Sequence, residues 1–200
     1  MGNILTANVK IRGTRELWWH WFNPDTSIPL EKRERTGVAG NDPQEWRSTV
    51  LYTSSGQLFV QDTYIFGAIV EAARYTKKGR GSIQNHVAAT LQVQPGRILI
   101  DRFIPGFDNG LPKDLPTDPS LPVYLDVRGV TNPGTKGKNI RYRVAATFGW
   151  QAEFLIMWDG TIVSREQMNA VVIDAGNIIG IGNGRSIGRG RFEIIEFIVE

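Results

Sequence analysis

The last fifty residues of the chain constrain its fold most, because consecutive elements can be assigned there from residue patterns. Residues 150–158 have the pattern of a β-strand. Ser164, followed three residues later by Gln167, has the form of a capping box that opens a helix. Apolar residues then recur at helical spacing, at Met168, Val171, Val172, Ala175 and Ile179. A glycine-rich segment and a final strand over 192–199 follow, so one face of this helix is expected to pack on a sheet.

The earlier part of the chain repeats this order of elements with insertions between them. Residues 7–22 alternate polar and apolar side chains before an aromatic run, which predicts a long first strand, and residues 62–76 have the apolar spacing of a helix. Two more strands are predicted at 87–93 and 97–103. Together the two halves predict an α+β fold, a modified ferredoxin-like (RRM-like) β-α-β-β-α-β palm with long loop insertions and both helices on one face.

The length of 200 residues favours a single domain over 1–200. Two segments depart from the regular pattern within it. Residues 23–56 are rich in proline, glycine and charge, which indicates a long excursion from the sheet. Residues 131–140 form a basic hairpin loop between two predicted strands.

Composition excludes several classes of function. The chain has no cysteine and only two histidines, which leaves no thiolate site and little for an imidazole metal site, so we expect neither metal nor cofactor. No apolar run approaches the roughly 20 residues that span a bilayer, so no membrane partner is expected. The first residues lack the features of a secretory signal, which predicts a cytoplasmic location.

Charge distribution says more than the net charge of +3. Basic residues form three clusters that are nearly free of acids: Lys77, Lys78 and Arg80; Lys136, Lys138, Arg141 and Arg143; and Arg185, Arg189 and Arg191 among glycines. If these clusters share a face, they form a track for a polyanion. In the alternative interpretation, the glycines only permit close backbone approach and the arginines are solvated.

Two motifs with catalytic associations do not fit their surroundings. Residues 184–188 match the G-x-S-x-G nucleophile motif, but they follow a helix and precede a strand, the reverse of what that motif requires. His20 is interpreted first as a structural histidine within an aromatic cluster, and Asp25 as a turn residue after Pro24. Both remain candidate catalytic residues, His20 as a general base and Asp25 as a metal ligand.

Three segments resemble the CRISPR-associated RAMP superfamily. Residues 59–74 resemble its helix-one segment, although Gln61-Asp62 and Phe66 depart from the usual pattern, and residues 164–192 resemble its C-terminal helix and glycine-rich loop. Residues 127–150 are similar to the backbone-subunit branch called Cas seven. The resemblance implies a ferredoxin-like palm, with 23–56 as a thumb-like insertion that reaches a neighbouring copy.

The same resemblance implies a function and a set of contacts. Copies of the chain would line up along a guide RNA (crRNA) with other effector-complex subunits, gripping the sugar-phosphate backbone and leaving bases free to pair with a target nucleic acid. RNA binding is carried over to Arg74, Lys77, Lys78, Arg80, Lys136, Lys138, Arg141, Arg143, Gly182, Gly184, Arg185, Ser186, Gly188 and Arg189. In some members a loop aspartate cuts target RNA with a metal ion, and Asp25 is the nearest candidate here.

Three hypotheses about function therefore stand. The first is a non-catalytic RNA-binding subunit that oligomerises along a guide RNA in a prokaryotic interference complex. The second is an endoribonuclease of the same superfamily, which would process guide RNA with His20 or cut target RNA with Asp25. The third is a β-rich assembly protein of the virion type, whose basic loops meet nucleic acid non-specifically.

Overall fold

The computed structural model of the protein describes residues 3–21, 43–105, 111–113, 121–131, 134 and 136–200. The strands are β1 (Ile4–Gly13), β2 (Leu17–Trp18), β3 (Gln57–Gln61), β4 (Lys77–Lys78), β5 (Gly81–Ser82), β6 (Gln92–Gln94), β7 (Arg97–Phe103), β8 (Val123–Thr131), β9 (Lys138–Ala146), β10 (Gln151–Asp159) and β11 (Phe192–Val199). The helices are α1 (Glu45–Thr49), α2 (Asp62–Ala72), α3 (Gln84–Thr90) and α4 (Arg165–Asp174). These elements make a mixed, mostly antiparallel structure, so the expected α+β class is confirmed.

The larger sheet has the strand order β11-β1-β10-β7-β3, and β6 also pairs with β10. All its pairings are antiparallel; Val9 of β1, for example, lies opposite Phe154 of β10 on one side and Phe197 of β11 on the other. Helix α2 lies in the chain between β1 and β6, and helix α4 lies between β10 and β11. Each helix therefore connects two strands of this sheet.

One face of the larger sheet is covered and the other is open. Along β1 the alternate residues Ala7, Val9 and Ile11 are fully buried, whereas Arg12 is exposed. The buried residues belong to one hydrophobic cluster with Ile69 of α2 and Met168, Val171 and Val172 of α4. The sheet thus places both helices, and the loops that follow them, on its covered side.

A smaller sheet with the order β2-β9-β8 packs beside the larger one. Its Leu17, Val123 and Val144 lie in the same hydrophobic cluster as Val9 of the larger sheet. Strands β8 and β9 pair along their whole length, from Val123↔Ala146 to Thr131↔Lys138. The predicted hairpin therefore exists as a long two-stranded arm, and part of its turn lies outside the described residues.

Two predicted strands differ from the structure. The expected first strand over 7–22 is instead two strands, because Leu17, Trp18 and Trp19 are all buried. A strand on a half-covered sheet buries only alternate residues, so this run contacts the second sheet as well. The expected strand over 87–93 is mostly helix α3, since Val87 and Leu91 repeat at helical spacing and the Leu91 N–H donates to the Val87 carbonyl.

Within the 23–56 segment the structure describes only its C-terminal part, where α1 forms. Residues 22–42, including Asp25, lie outside the described residues. Among the helices that are described, none is long and apolar enough to cross a bilayer.

Candidate functional site

The glycine loop, residues 180–191, is fixed at both ends by backbone hydrogen bonds. It begins after a π-helical turn at Ala175–Ile179 that extends α4, and the N–H of Ile181 donates to the carbonyl of Gly190 at 3.0 Å. The N–H of Asn183 donates to the carbonyl of Trp18 at 2.8 Å. The loop is therefore closed on itself and attached to β2, so its backbone has a defined position.

The loop glycines serve two different needs. At Gly182, φ is +76°, and a Cβ atom would lie 2.7 Å from the carbonyl oxygen of Trp18, so close approach to β2 requires glycine. At Gly188, φ is +81°, but a Cβ atom would meet nothing within 4 Å. The interpretation of close backbone approach thus applies at Gly182, whereas Gly188 only permits a turn.

A cleft of about 500 Å³ lies between the end of α2 and the glycine loop. Its lining comes from the last turn of α2, the 3-10 turn Ala73–Tyr75, the π-helical turn and the loop: Glu71, Arg74, Tyr75, Ile178, Ile179, Gly182, Asn183, Gly184, Arg185, Ser186 and Arg191. Five of the residues predicted to bind RNA are brought together here, namely Arg74, Gly182, Gly184, Arg185 and Ser186. The two sequence segments that carried the prediction, 59–74 and 164–192, therefore meet in space.

The cleft contains three arginines and one glutamate. Glu71 forms an ion pair with Arg185 at 3.1 Å and lies 3.8 Å from Arg74. Arg74 also donates a hydrogen bond to the Tyr75 hydroxyl at 2.7 Å, which raises the pKa of Arg74. The third arginine, Arg191, has a buried Nη1 that makes no hydrogen bond within the described residues, and burial lowers its pKa. The cleft thus has an excess of positive charge, part of it desolvated.

Arg189, although it lies in the same loop, belongs to a different group of arginines. The guanidinium groups of Arg128, Arg143 and Arg189 lie 4.9, 5.5 and 4.6 Å from the centre of the Trp18 ring, and we call these four residues the Trp18 cluster. Arg189 forms an ion pair with Glu16. The predicted ligands Arg143 and Arg189 are therefore already occupied by contacts inside the protein.

A buried carboxylate, that of Asp126, lies beside the Trp18 cluster. Asp126 is 1% exposed and accepts a hydrogen bond from Arg128 Nε at 2.6 Å, while Arg143 lies 3.7 Å from its other oxygen. Burial is the main cause that lowers the pKa of Arg143. Cation–π contacts and a paired carboxylate are the usual compensation for removing arginine from water, so this cluster is built for packing.

The remaining predicted residues lie away from the cleft. Lys77, Lys78 and Arg80 are exposed on and between β4 and β5, and Lys78 Nζ donates to the carbonyl of Ile162. Lys136 and Lys138 are exposed near the tip of the long hairpin. Lys138 is seven residues along β9 from Ala145, which pairs with Trp18, a separation of about 23 Å at the rise of a strand. The hairpin lysines therefore lie at the far end of this arm from β2.

His20 and Arg141 lie near the carboxylate of Glu45 in α1. Arg141 forms an ion pair with Glu45. His20 is half-buried, its Nδ1 makes no hydrogen bond within the described residues, and desolvation lowers its pKa. No group of three or more metal-ligating side chains occurs among the described residues.

The predicted RNA-binding set omitted four polar lining residues of the cleft, Glu71, Tyr75, Asn183 and Arg191, although Arg191 was counted in the third basic cluster. Glu71 had a usable signal, because it precedes Arg74 by three residues and such pairs share one face of a helix. No sequence signal pointed to Asn183, since its backbone contact with Trp18 of β2 depends on how the loop folds.

Comparisons with known proteins give a match at the level of fold. No family model and no curated protein matches the sequence. A solved structure that matches is a chain in "Cryo-EM structure of the Type III-B Cmr-beta bound to cognate target RNA", with 12% sequence identity and a TM-score of 0.53. The match covers 98% of this chain and 61% of that one, so the protein spans about three fifths of its length. At this level of identity the similarity shows a shared fold.

Proposed function

We propose that the protein is an RNA-binding subunit of a CRISPR effector complex and that it grips the sugar-phosphate backbone of the guide RNA in the cleft beside the glycine loop. The observation that carries this proposal is the convergence of Arg74, Arg185 and Arg191 in one cleft that has a single carboxylate, Glu71, in its lining. The shared fold with a chain of a target-RNA-bound Cmr structure gives independent support.

The arrangement of the larger sheet supports a ferredoxin-like palm of the RAMP type. The strands β11, β1, β10 and β6 are adjacent in that order, with α2 and α4 as the two crossover helices. This is the order 4-1-3-2 of a β-α-β-β-α-β unit when β6 is counted as its second strand. We include in the proposal a single domain over 1–200, with β3, the β2-β9-β8 sheet and the 23–56 segment as insertions.

Binding in this cleft would be electrostatic and geometric. Guanidinium forks of Arg74 and Arg185 present paired N–H donors that suit phosphate oxygens. Backbone contacts of this kind fix the path of the strand and carry no sequence information, which leaves the bases available for pairing. An RNA-binding subunit that holds guides of different sequences requires such sequence-independent contacts.

The exposed lysines extend the proposed contact beyond the cleft. Lys77 and Arg80 lie on and after β4, which follows the 3-10 turn at the end of α2. The hairpin tip with Lys136 and Lys138 projects about 23 Å from the contact of β9 with β2. A strand that followed the hairpin from β2 to its tip would be several nucleotides long. We also carry over from the family resemblance the arrangement in which copies of the chain lie side by side along one guide, next to other effector subunits, with target nucleic acid recognised through the guide.

The test is a titration with single-stranded RNA by the wild type, Arg185→Ala and Arg12→Ala. Arg12 is a matched control, because it is also exposed and paired with a glutamate, Glu193 at 2.7 Å, but lies on the open face of the sheet. Arg185→Ala should weaken binding about tenfold and reduce the slope of log affinity against log salt by about 1. Arg12→Ala should match the wild type. Absence of salt-dependent binding by the wild type would overturn the proposal.

The second candidate is endoribonuclease activity at His20, and one observation favours it. Burial lowers the pKa of His20, which keeps the imidazole neutral near pH 7, the form of a general base. Glu45 and Arg141 are charged neighbours that could orient it and stabilise a developing anion. Cleavage of RNA that survives in His20→Ala would eliminate this assignment.

A further inference from the structure

The position of Glu71 is unexpected for a site that binds phosphates only. Its carboxylate lies in the cleft between Arg185, at 3.1 Å, and Arg74, at 3.8 Å, and its side chain is 39% exposed. A carboxylate repels a nearby phosphate and competes with it for the same arginines. A cleft selected for phosphate alone would bind more tightly with a neutral residue here.

The Glu71 carboxylate keeps one oxygen atom free, and this oxygen can accept a hydrogen bond from a hydroxyl group of a ligand. Oε2 accepts a hydrogen bond from Arg185, whereas Oε1 is too far from Arg74 for a hydrogen bond and accepts none within the described residues. An ionised carboxylate can only accept, so the ligand group that it favours must carry a proton. The phosphates of a nucleic acid carry none near pH 7.

Ribose supplies such a donor at the required place in the ligand. Along an RNA strand each 2′-hydroxyl lies between consecutive phosphates, and the 2′-hydroxyl is the group that distinguishes RNA from DNA. Glu71 lies 3.1 Å from Arg185 and 3.8 Å from Arg74, so a carboxylate with two guanidinium neighbours would meet a hydroxyl with two phosphate neighbours. Dinucleotide-binding folds use an acidic residue on a ribose hydroxyl beside a phosphate site in the same way.

We infer that Glu71 accepts a hydrogen bond from a ribose 2′-hydroxyl and makes the cleft selective for RNA over DNA. The inference rests on the proposed function, because it assumes that a ribose-phosphate strand occupies the cleft. Glu71 is then a specificity residue. Its negative charge weakens the attraction of the cleft for phosphate, and a hydrogen bond from a 2′-hydroxyl offsets this loss.

The test measures the affinity of the wild type and Glu71→Ala for three single strands of one sequence: RNA, 2′-fluoro RNA and DNA. The 2′-fluoro strand keeps an RNA-like sugar shape but cannot donate a hydrogen bond, so it separates hydroxyl recognition from shape. The control variant is Glu193→Ala, which removes an arginine-paired glutamate from the open face and changes the net charge equally. Alanine is the best helix former, so Glu71→Ala should keep α2 intact.

The wild type and Glu193→Ala should prefer RNA over 2′-fluoro RNA by about tenfold, the effect of one hydrogen bond to a charged group. Glu71→Ala should reduce this preference to about twofold or less and bind DNA at least as tightly as the wild type does. An RNA to 2′-fluoro RNA ratio that Glu71→Ala leaves unchanged would overturn the inference alone, whichever way the absolute affinities move. If the wild type binds none of the strands, the proposed function fails and the inference fails with it.

Discussion

Two groups of arginines in this protein differ in how they are used, although their sequence context is alike. Arg185 and Arg189 are four residues apart in the same glycine loop. Arg185 faces the cleft with its side chain 44% exposed, whereas Arg189 stacks on Trp18 and pairs with Glu16. A basic cluster in sequence therefore does not define a binding surface, because carboxylates and aromatic rings elsewhere in the fold select which cations remain accessible.

Desolvation explains the division between the cleft and the Trp18 cluster. In the Trp18 cluster the ring is 1% exposed and Asp126 is buried beside it. Arg143 and Arg189, with side chains 10% and 21% exposed, exchange water for the ring face and a carboxylate, whereas Arg128 stacks on the ring with about half of its side chain still in water. In the cleft a single glutamate is shared by Arg74 and Arg185. The first group therefore contributes to folding and the second retains capacity for an anion.

The largest effect that would test this division is expected from Trp18→Ala. Removal of this buried ring should lower the free energy of unfolding by about 3–5 kcal/mol, because three guanidinium groups lose their contact and the glycine loop loses its neighbour. Urea denaturation measures the change, and Phe148→Ala, at a side chain that is 68% exposed, is the control, with an expected change within about 0.5 kcal/mol. A loss below about 1 kcal/mol for Trp18→Ala would show that the cluster is not a packing centre.

The two glycine substitutions should separate packing from turn formation. Gly182→Ala should lower the free energy of unfolding by roughly 2–4 kcal/mol, because it adds a steric clash with Trp18 to the cost of a positive φ. Gly188→Ala has the φ cost only and should lose about 1–2 kcal/mol. Thermal and urea unfolding of both variants compare them directly. Equal losses would contradict the close approach of the loop to β2.

Arg189→Ala should lower stability and leave RNA affinity almost unchanged, whereas Arg185→Ala is expected to weaken RNA binding. Loss of the contact with Trp18 and of the partner for Glu16 should cost about 1–2 kcal/mol of unfolding free energy. Affinity for single-stranded RNA, corrected for the unfolded fraction, should stay within about twofold of the wild type. RNA binding that falls as far as in Arg185→Ala would place Arg189 in the interface after all.

Local pattern was enough to predict the elements that depend on near neighbours. The capping box of Ser164 and Gln167 is present as expected, and α4 buries Met168, Val171 and Val172. Short-range periodicity was a sufficient guide to this helix, whereas the same reasoning predicted a strand where α3 forms.

Long-range partners explain what the sequence did not predict. Glu16 pairs with Arg189 from 173 residues away, and Glu45 pairs with Arg141 from 96 residues away. Composition had suggested that the basic clusters were nearly free of acids, because those acids lie in other segments of the chain. The burial of Arg143 likewise depends on a second sheet that the predicted topology lacked.

The smallest predicted effect is a pH dependence of stability caused by His20, which lies near Arg143 of the Trp18 cluster. Burial lowers the pKa of His20 below its ordinary value of 6.5, and Arg141 and Arg143 add to the shift while Glu45 opposes it. The folded state thus favours the neutral imidazole, so the stabilisation is fully present above about pH 6.5 and is lost as pH falls through the lowered pKa. Urea unfolding of the wild type and His20→Gln between about pH 5 and pH 8 measures it. As pH falls, the free energy of unfolding of the wild type should decrease relative to that of His20→Gln. If the two plots of unfolding free energy against pH are parallel, His20 is not desolvated and its surroundings near Arg141 and Arg143 are as accessible to water as the cleft.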